Sequence, residues 1–206
     1  MRQNKFIVFE GIDGSGKSTQ AKLLQQKLNE AGHKTYATFE PTDSPIGSII
    51  RNIFKRRIEA AHETIAGLFV ADRLDHLLNN TNGILKKLNE GYTVICDRYY
   101  LSSYAYQGAH VDMDWVIQAN SKSAALLKAD VTVYIDISPE ESLARVHKGR
   151  SDIEIFENLE NLEKVQAAYE KAIKLTQKQE NIIRVNGVGN NKEIAAKVWE
   201  AIEQSL

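Results

Sequence analysis

Along this chain, short and nearly continuous apolar runs alternate with longer stretches in which apolar positions recur every three or four residues. The short runs cover 6–9, 35–39, 93–96, 131–135 and 182–185. Each is bounded by polar or glycine positions, the texture of strands buried on both faces of a parallel sheet. Between the first two, Ala21, Leu24, Leu28 and Ala31 fall at i, i+3, i+7 and i+10, a helical stripe that Gly32 stops. The same period predicts helices over 46–57, over 62–90 with a break near 79–83, and over 113–128, 139–147, 157–178 and 192–204. Pro139 opens one of these, where its missing N–H is an orphan donor anyway. Strands alternating with helices build βαβ units, so the pattern predicts an α/β fold in three layers, α/β/α, around a five-stranded parallel sheet.

No internal repeat, linker or shift of composition divides the 206 residues, which read as a single domain 1–206. The polar segment 148–153 between two helices is expected to form a short lid. The chain is 43% hydrophobic and 26% charged, near the globular averages of about 45–50% and about 25%, which excludes a disordered or low-complexity protein. No apolar stretch approaches the roughly 18–20 residues of a membrane helix, and the polar opening 1–5 leads straight into a strand, so neither a membrane anchor nor a signal peptide is expected. The single cysteine, Cys96, cannot form an intrachain disulfide, which fits the cytoplasm. With 26 basic and 27 acidic residues the net charge is −1, so no nucleic-acid polymer is expected as a partner, while a local basic pocket is compatible.

The chemistry begins after the first strand. Gly11-Ile12-Asp13-Gly14-Ser15-Gly16-Lys17-Ser18 matches G-x-x-x-x-G-K-[ST] in full. Glycines let backbone N–H groups curl around a phosphate with no Cβ in the way, and the following helix presents its N-terminal donors to the anion. Lys17 is placed to reach the β- and γ-phosphates, and the Ser18 hydroxyl to hold Mg²⁺. A GTPase would add Asn-Lys-x-Asp after a later strand; the nearest string, Asn191-Lys192-Glu193, lacks it. The second signal, Asp97-Arg98-Tyr99, follows the third strand. Ligands of open α/β sheets bind beyond the carboxyl ends of the strands, so Asp97 can hold Mg²⁺ through water and Arg98 can bridge donor and acceptor phosphates.

Taken together, these residues resemble the thymidylate kinase family, within the nucleoside-monophosphate kinase branch of P-loop proteins. The resemblance is carried by Phe9-Glu10 with the phosphate loop through Thr19, then Phe69, Asp72, Arg73 and His76. It continues through Asp97-Arg98-Tyr99 with Ser102, Ser103 and Ala105-Tyr106-Gln107, and through Ile135-Asp136-Ile137-Ser138-Pro139-Glu140. It implies transfer of the ATP γ-phosphoryl group to dTMP in the presence of Mg²⁺, and a homodimer formed through the helices that begin near His62 and Met113. It implies ATP binding by Gly11, Ile12, Asp13, Gly14, Ser15, Gly16, Lys17, Ser18 and Thr19. By the same resemblance Asp13 reaches the sugar 3′-hydroxyl, Phe69 stacks on thymine, and Arg73 donates to a base carbonyl. Ser102 and Ser103 meet the far edge of the base, and Tyr106 lies under the sugar, disfavouring a 2′-hydroxyl. Many bacterial relatives carry Arg-Glu-Pro-Gly-Gly-Thr after the second strand, where this chain has Phe39-Glu40-Pro41-Thr42-Asp43-Ser44, so Arg51 becomes the acceptor-phosphate contact. The phosphate loop has no arginine between Asp13 and Lys17, a form that places its cation in the lid. Lys148, Arg150 and Arg145 are the available cations, with Arg150 assigned to catalysis beside Lys17 and Arg98.

Phe69 and Arg73, four apart, share one helix face. Phe69 reads equally as a core aromatic, and Arg73 as the partner of Asp72 or Asp75. Two other functions compete with the kinase of dTMP. A deoxynucleoside kinase would need a carboxylate base near a neutral 5′-hydroxyl, a role open to Glu40 or Asp97. An ATP-binding switch would transfer nothing to a small molecule.

Overall fold

The computed structural model describes residues 4–149 and 158–203. Strands β1 (Phe6–Glu10), β2 (Thr35–Phe39), β3 (Thr93–Asp97), β4 (Val131–Asp136) and β5 (Ile182–Asn186) form one sheet in the order β2-β3-β1-β4-β5. All the pairings are parallel. The helices are α1 (Lys17–Glu30), α2 (Pro45–Phe54), α3 (His62–Leu78), α4 (Ile84–Asn89), α5 (Tyr100–Tyr106), α6 (Met113–Leu126), α7 (Pro139–Gly149), α8 (Leu159–Thr176) and α9 (Asn191–Glu203). Among the described residues none is long and apolar enough to cross a membrane.

Side chains alternate across a strand, and β1 shows both outcomes. Phe6 and Val8 join a cluster with Leu88 of α4, Tyr104 of α5 and Val165 of α8. Ile7 and Phe9 face the other way, onto Leu24 and Leu28 of α1 and Val198 of α9. Two cores sandwich the central strand, which is why its sequence is apolar from Phe6 to Phe9 rather than alternating. β1 lies between β3 and β4 although four helices and β2 separate it from β3 in the chain. The carboxyl ends of these three strands therefore open onto the crevice where the strand order reverses.

The helical stretch expected over 62–90 is divided between α3 and α4 where the break was expected. α2 begins at Pro45, capped by Ser44 Oγ accepting from Gly47 N at 3.1 Å, and stops at Phe54, short of residue 57, where Arg56 takes a φ of 56°. α5 went unread in the sequence because Tyr100, Leu101, Ser102, Ser103, Tyr104 and Ala105 are all buried, leaving no polar face to give it a period.

Candidate active site

The phosphate loop leaves β1 and enters α1 through three glycines with φ of 141°, 73° and 95° at Gly11, Gly14 and Gly16. Two of these have no room for a side chain. A Cβ on Gly11 would stand 2.5 Å from the carbonyl oxygen of Ile135, and one on Gly14 would stand 2.6 Å from that of Ser142. The loop is thus pressed between the end of β4 and α7, and Ser142 Oγ donates to the carbonyl of Asp13. α1 starts with no side-chain cap, so its first N–H groups remain available to an anion. Ser18 and Thr19 are exposed on that first turn, while Ile12 and Ser15 are buried beneath it.

Lys17 is buried and donates from Nζ to the Ile12 carbonyl at 2.9 Å. Burial first, then the neighbouring Arg98 charge, pushes its ammonium down to about 8, against the pull of Asp13, Asp97 and Glu10. Ser18 Oγ donates to Asp97 Oδ2, so the two residues expected at the metal do meet. The other carboxylate oxygen, Asp97 Oδ1, is buried with no hydrogen-bond partner among the described residues. One hydroxyl and one under-used carboxylate suit a hard cation that draws its remaining ligands from water and phosphate, as Mg²⁺ does.

Arg98 follows β3 in the left-handed region, φ 72°, a conformation that costs a non-glycine residue about 1–3 kcal/mol. Its Nη2 donates to Asp13 Oδ1 at 2.5 Å and to Tyr106 Oη at 3.3 Å, and its Nη1 to Ser102 Oγ at 3.1 Å. Tyr106 Oη donates to Asp13 Oδ2 at 2.8 Å, and the guanidinium carbon stands 4.7 Å from the Tyr106 ring centroid. Burial raises the Tyr106 phenol far above its ordinary value, so it stays a donor. One guanidinium therefore touches the phosphate loop on one side and α5 on the other.

Beside it opens a pocket lined by Pro41, Phe54, Phe69, Arg98, Ser102, Ser103, Tyr106 and Gln107. Phe69 serves two roles at once. It stands on the pocket wall with its ring 6.0 Å from that of Phe54, and it closes a small core with Ile50, Ile53 and Ile65. Ser102 and Ser103 line the pocket, but their hydroxyls are engaged inward, with Glu10 and with Arg73 respectively.

Arg73 departs from expectation. It is 1% exposed, and every one of its donors meets a protein acceptor. Nε donates to Glu40 Oε2 at 2.8 Å and Nη2 pairs with the same oxygen at 2.7 Å. Nη1 donates to Ser103 Oγ at 3.0 Å and to Asn120 Oδ1, and Nη2 to the Tyr99 carbonyl at 3.2 Å. In this arrangement no N–H is left for a base carbonyl. The reason is Glu40: a buried carboxylate needs a cation more than a half-buried Asp75 does, and it takes Arg73 and, at 3.1 Å, His76 Nδ1.

Arg51 donates to the carbonyls of Pro41 and Thr42 and to Ser48 Oγ, and pairs with Asp43 at 3.5 Å. It braces the loop behind the pocket rather than lining it. Asp72 braces the same loop, accepting from Thr42 N, Thr42 Oγ1 and Ser44 Oγ at 2.5–2.8 Å. Arg145 is held by Glu141 and by the Gly187 carbonyl at 3.0 Å. Arg150, the rest of the expected lid over 150–153 and the Lys148 side chain lie outside the described residues.

The sequence left Glu10, Pro41, Phe54, Gln107, Ser142 and Tyr169 without a role. Glu10 carried a signal as a carboxylate ending an apolar buried strand, and Gln107 as part of the motif that bears the resemblance.

The sequence profile described as thymidylate kinase matches residues 9–197. The chain is 38% identical to a Pyrococcus horikoshii protein named "Probable thymidylate kinase" over 208 residues, covering 98% of this chain and 97% of that one. It is 36% identical to a thymidylate kinase of Leptospira interrogans, covering 95% and 92% of the two chains. It is 35% identical to one of Caldicellulosiruptor saccharolyticus, covering 99% and 98%.

Proposed function

The chain belongs to the thymidylate kinase family, and from that premise we propose that it transfers the γ-phosphoryl group of ATP to the phosphate of dTMP, giving dTDP and ADP. The observation that carries this reading is the position of Arg98, whose guanidinium contacts Asp13 of the phosphate loop and lines the pocket that Phe69 walls. A cation at that junction bridges two phosphates brought from opposite sides.

The attacking atom is a phosphate oxygen, already anionic at neutral pH, so no strong base is required. Glu40, the base a deoxynucleoside kinase could use, is 4% exposed and paired with Arg73 and His76, which argues against that competitor. The work of the chain's own residues is alignment and charge neutralisation. The loop backbone and the α1 N-terminus hold the donor phosphates, and Lys17 and Arg98 neutralise the charge that spreads over the transferring group. Ser18 and Asp97 would hold Mg²⁺, which supplies further neutralisation of the donor phosphates when bound.

Phe69 offers the base a stacking face, and Tyr106 stands against the sugar. Arg73 supports the pocket through Ser103 and Glu40. A cation from the lid, Arg150 in our reading, completes the charge set, and Asp13 exchanges its contacts with Tyr106 and Arg98 for the sugar hydroxyl when the nucleotide enters. The free buried thiol of Cys96 is in keeping with the cytoplasm, and the exposed Leu78 of α3 and Trp115 of α6 with a homodimer through those helices.

The test is ADP release from ATP with dTMP, dUMP, UMP, dCMP, AMP and thymidine offered in turn. Stimulation by dTMP and not by thymidine is the expected result. Stimulation by thymidine alone would establish the deoxynucleoside kinase, and ATP turnover indifferent to every acceptor would establish the switch.

A further inference from the structure

Glu10 ends the central strand, immediately before Gly11, and is completely buried. Among the described residues no cation bonds to it. Its four hydrogen bonds come from neutral donors: Oε1 accepts from Tyr99 N at 2.9 Å and Ser102 N at 3.1 Å, and Oε2 accepts from Ser102 Oγ at 2.5 Å and Tyr169 Oη at 3.0 Å. Burying a carboxylate in this way is costly, and an apolar residue would fill the space at lower cost. The donors show what the carboxylate is for. Tyr99 is the N-cap of α5 and makes no side-chain cap hydrogen bond, so Glu10 accepts its N–H from across the sheet and shares the Ser102 N–H with the Tyr99 carbonyl, which accepts it at 3.1 Å.

The residue before that cap is Arg98, in its left-handed conformation. The strained turn is pinned on both sides, by Arg98 N donating to Phe9 O at 2.9 Å and by Tyr99 N donating to Glu10. The link reaches the guanidinium as well. Ser102 Oγ spends its proton on Glu10, which leaves its lone pairs to accept from Arg98 Nη1.

We propose that Glu10 is a positioning residue for Arg98, fixing the backbone turn from which the arginine springs and setting the polarity of the Ser102 hydroxyl that orients its guanidinium. The inference rests on Arg98 acting at the transferring phosphoryl group. Glu10→Gln is the sharp probe. The amide oxygen can still accept from Tyr99 N and Ser102 N, but the amide nitrogen must donate where Oε2 accepted, turning the Ser102 proton toward Arg98.

The experiment is a double-mutant cycle in the full chain, run with whichever nucleotide the unaltered protein phosphorylates. Failure of dTMP as acceptor would therefore overturn the substrate reading without deciding this one. Glu10→Gln is expected to lower kcat roughly 10–100-fold, the scale of a small misplacement of a catalytic group, with KM for ATP nearly unchanged. In an Arg98→Ala background the same substitution should change kcat less than about twofold, because the group it positions is gone. Equal losses in both backgrounds would make Glu10 merely structural, and near-normal kcat in the single variant would also overturn the inference. Should Glu10→Gln not fold, Ser102→Ala cuts the same link from the other side. A loss of about tenfold that disappears without Arg98 supports the proposal, and a loss that persists, or none, refutes it.

Discussion

The phosphate loop and the pocket walled by Phe69 meet at Arg98 and are built from different materials. The loop is backbone: its glycines at 11, 14 and 16, the open first turn of α1, and a fit against Ile135 and Ser142 that leaves no room for a methyl group. The pocket is side chain: two phenylalanines, a tyrosine, an arginine and two serines brought from α2, α3, α5 and the turn after β3. Phosphate is the same in every donor nucleotide, so rigid N–H groups suffice to bind it. Telling one base and sugar from another needs varied surfaces, which only side chains supply. The loop should therefore suffer when atoms are added and the pocket when they are removed.

Five changes would break or sharpen this contrast. Arg98→Ala acts where the two regions meet and should cost the most, about 10³-fold or more in kcat while the chain still folds, as arginine contributions of this kind do. Single-turnover kinetics reads it, and near-normal turnover would remove Arg98 from the chemistry. Phe69→Ala deletes the stacking face, worth about 1–3 kcal/mol, so KM for dTMP should rise roughly 10–100-fold. Because Phe69 also closes the core around Ile50, Ile53 and Ile65, the melting temperature should fall too.

Gly14→Ala adds a single methyl to the loop, in a left-handed backbone and against the Ser142 carbonyl. Strain of about 1–3 kcal/mol should appear as roughly tenfold weaker ATP binding by calorimetry, with the dTMP site unaffected. The Lys17 ammonium supplies a pH test. In the free protein it loses its proton above about 8, below its ordinary 10.5, and bound phosphates restore the charge. ATP binding above pH 8 should then take up a proton, and affinity should fall by up to about tenfold per pH unit. Calorimetry in two buffers of different ionisation enthalpy detects the uptake, and a buffer-independent enthalpy would contradict it. For stability the sign is opposite: the unfolded chain holds this proton up to 10.5, so the contribution of Lys17 to stability rises from about pH 8 to 10.5. The smallest effect belongs to Ser15→Ala, which removes a buried hydroxyl that has no hydrogen-bond partner among the described residues. ATP affinity should stay within about twofold.

The same contrast governs what could be read from the chain. Strands and the long helices follow from local periodicity, because each buries a stripe or a whole run of apolar residues. α5 lacked that signal, being buried on nearly all sides. The phosphate loop is consecutive in sequence, so spacing alone located it together with Ser18 on the first turn of α1. Asp97 and Arg98 were found by their place after a strand. The pocket residues Pro41, Phe54 and Gln107 come from separate elements and carry no spacing rule. Arg73 is the instructive departure. The helical period correctly put it on one face with Phe69, yet burial of Glu40 nearby determined which acceptors it meets.

By itself, then, the sequence determined the alternation of strands and helices, a parallel sheet buried on both faces, and a loop able to wrap phosphate. These are properties of neighbours in the chain, where glycine φ freedom and apolar period act locally. Only the tertiary structure decided how buried and half-buried charges are shared: Arg73 with Glu40, Arg98 with Asp13, and Glu10 with the turn that carries Arg98. A buried charge must find its partner in space, and residues 33, 85 and 89 positions apart become neighbours only when the sheet has closed.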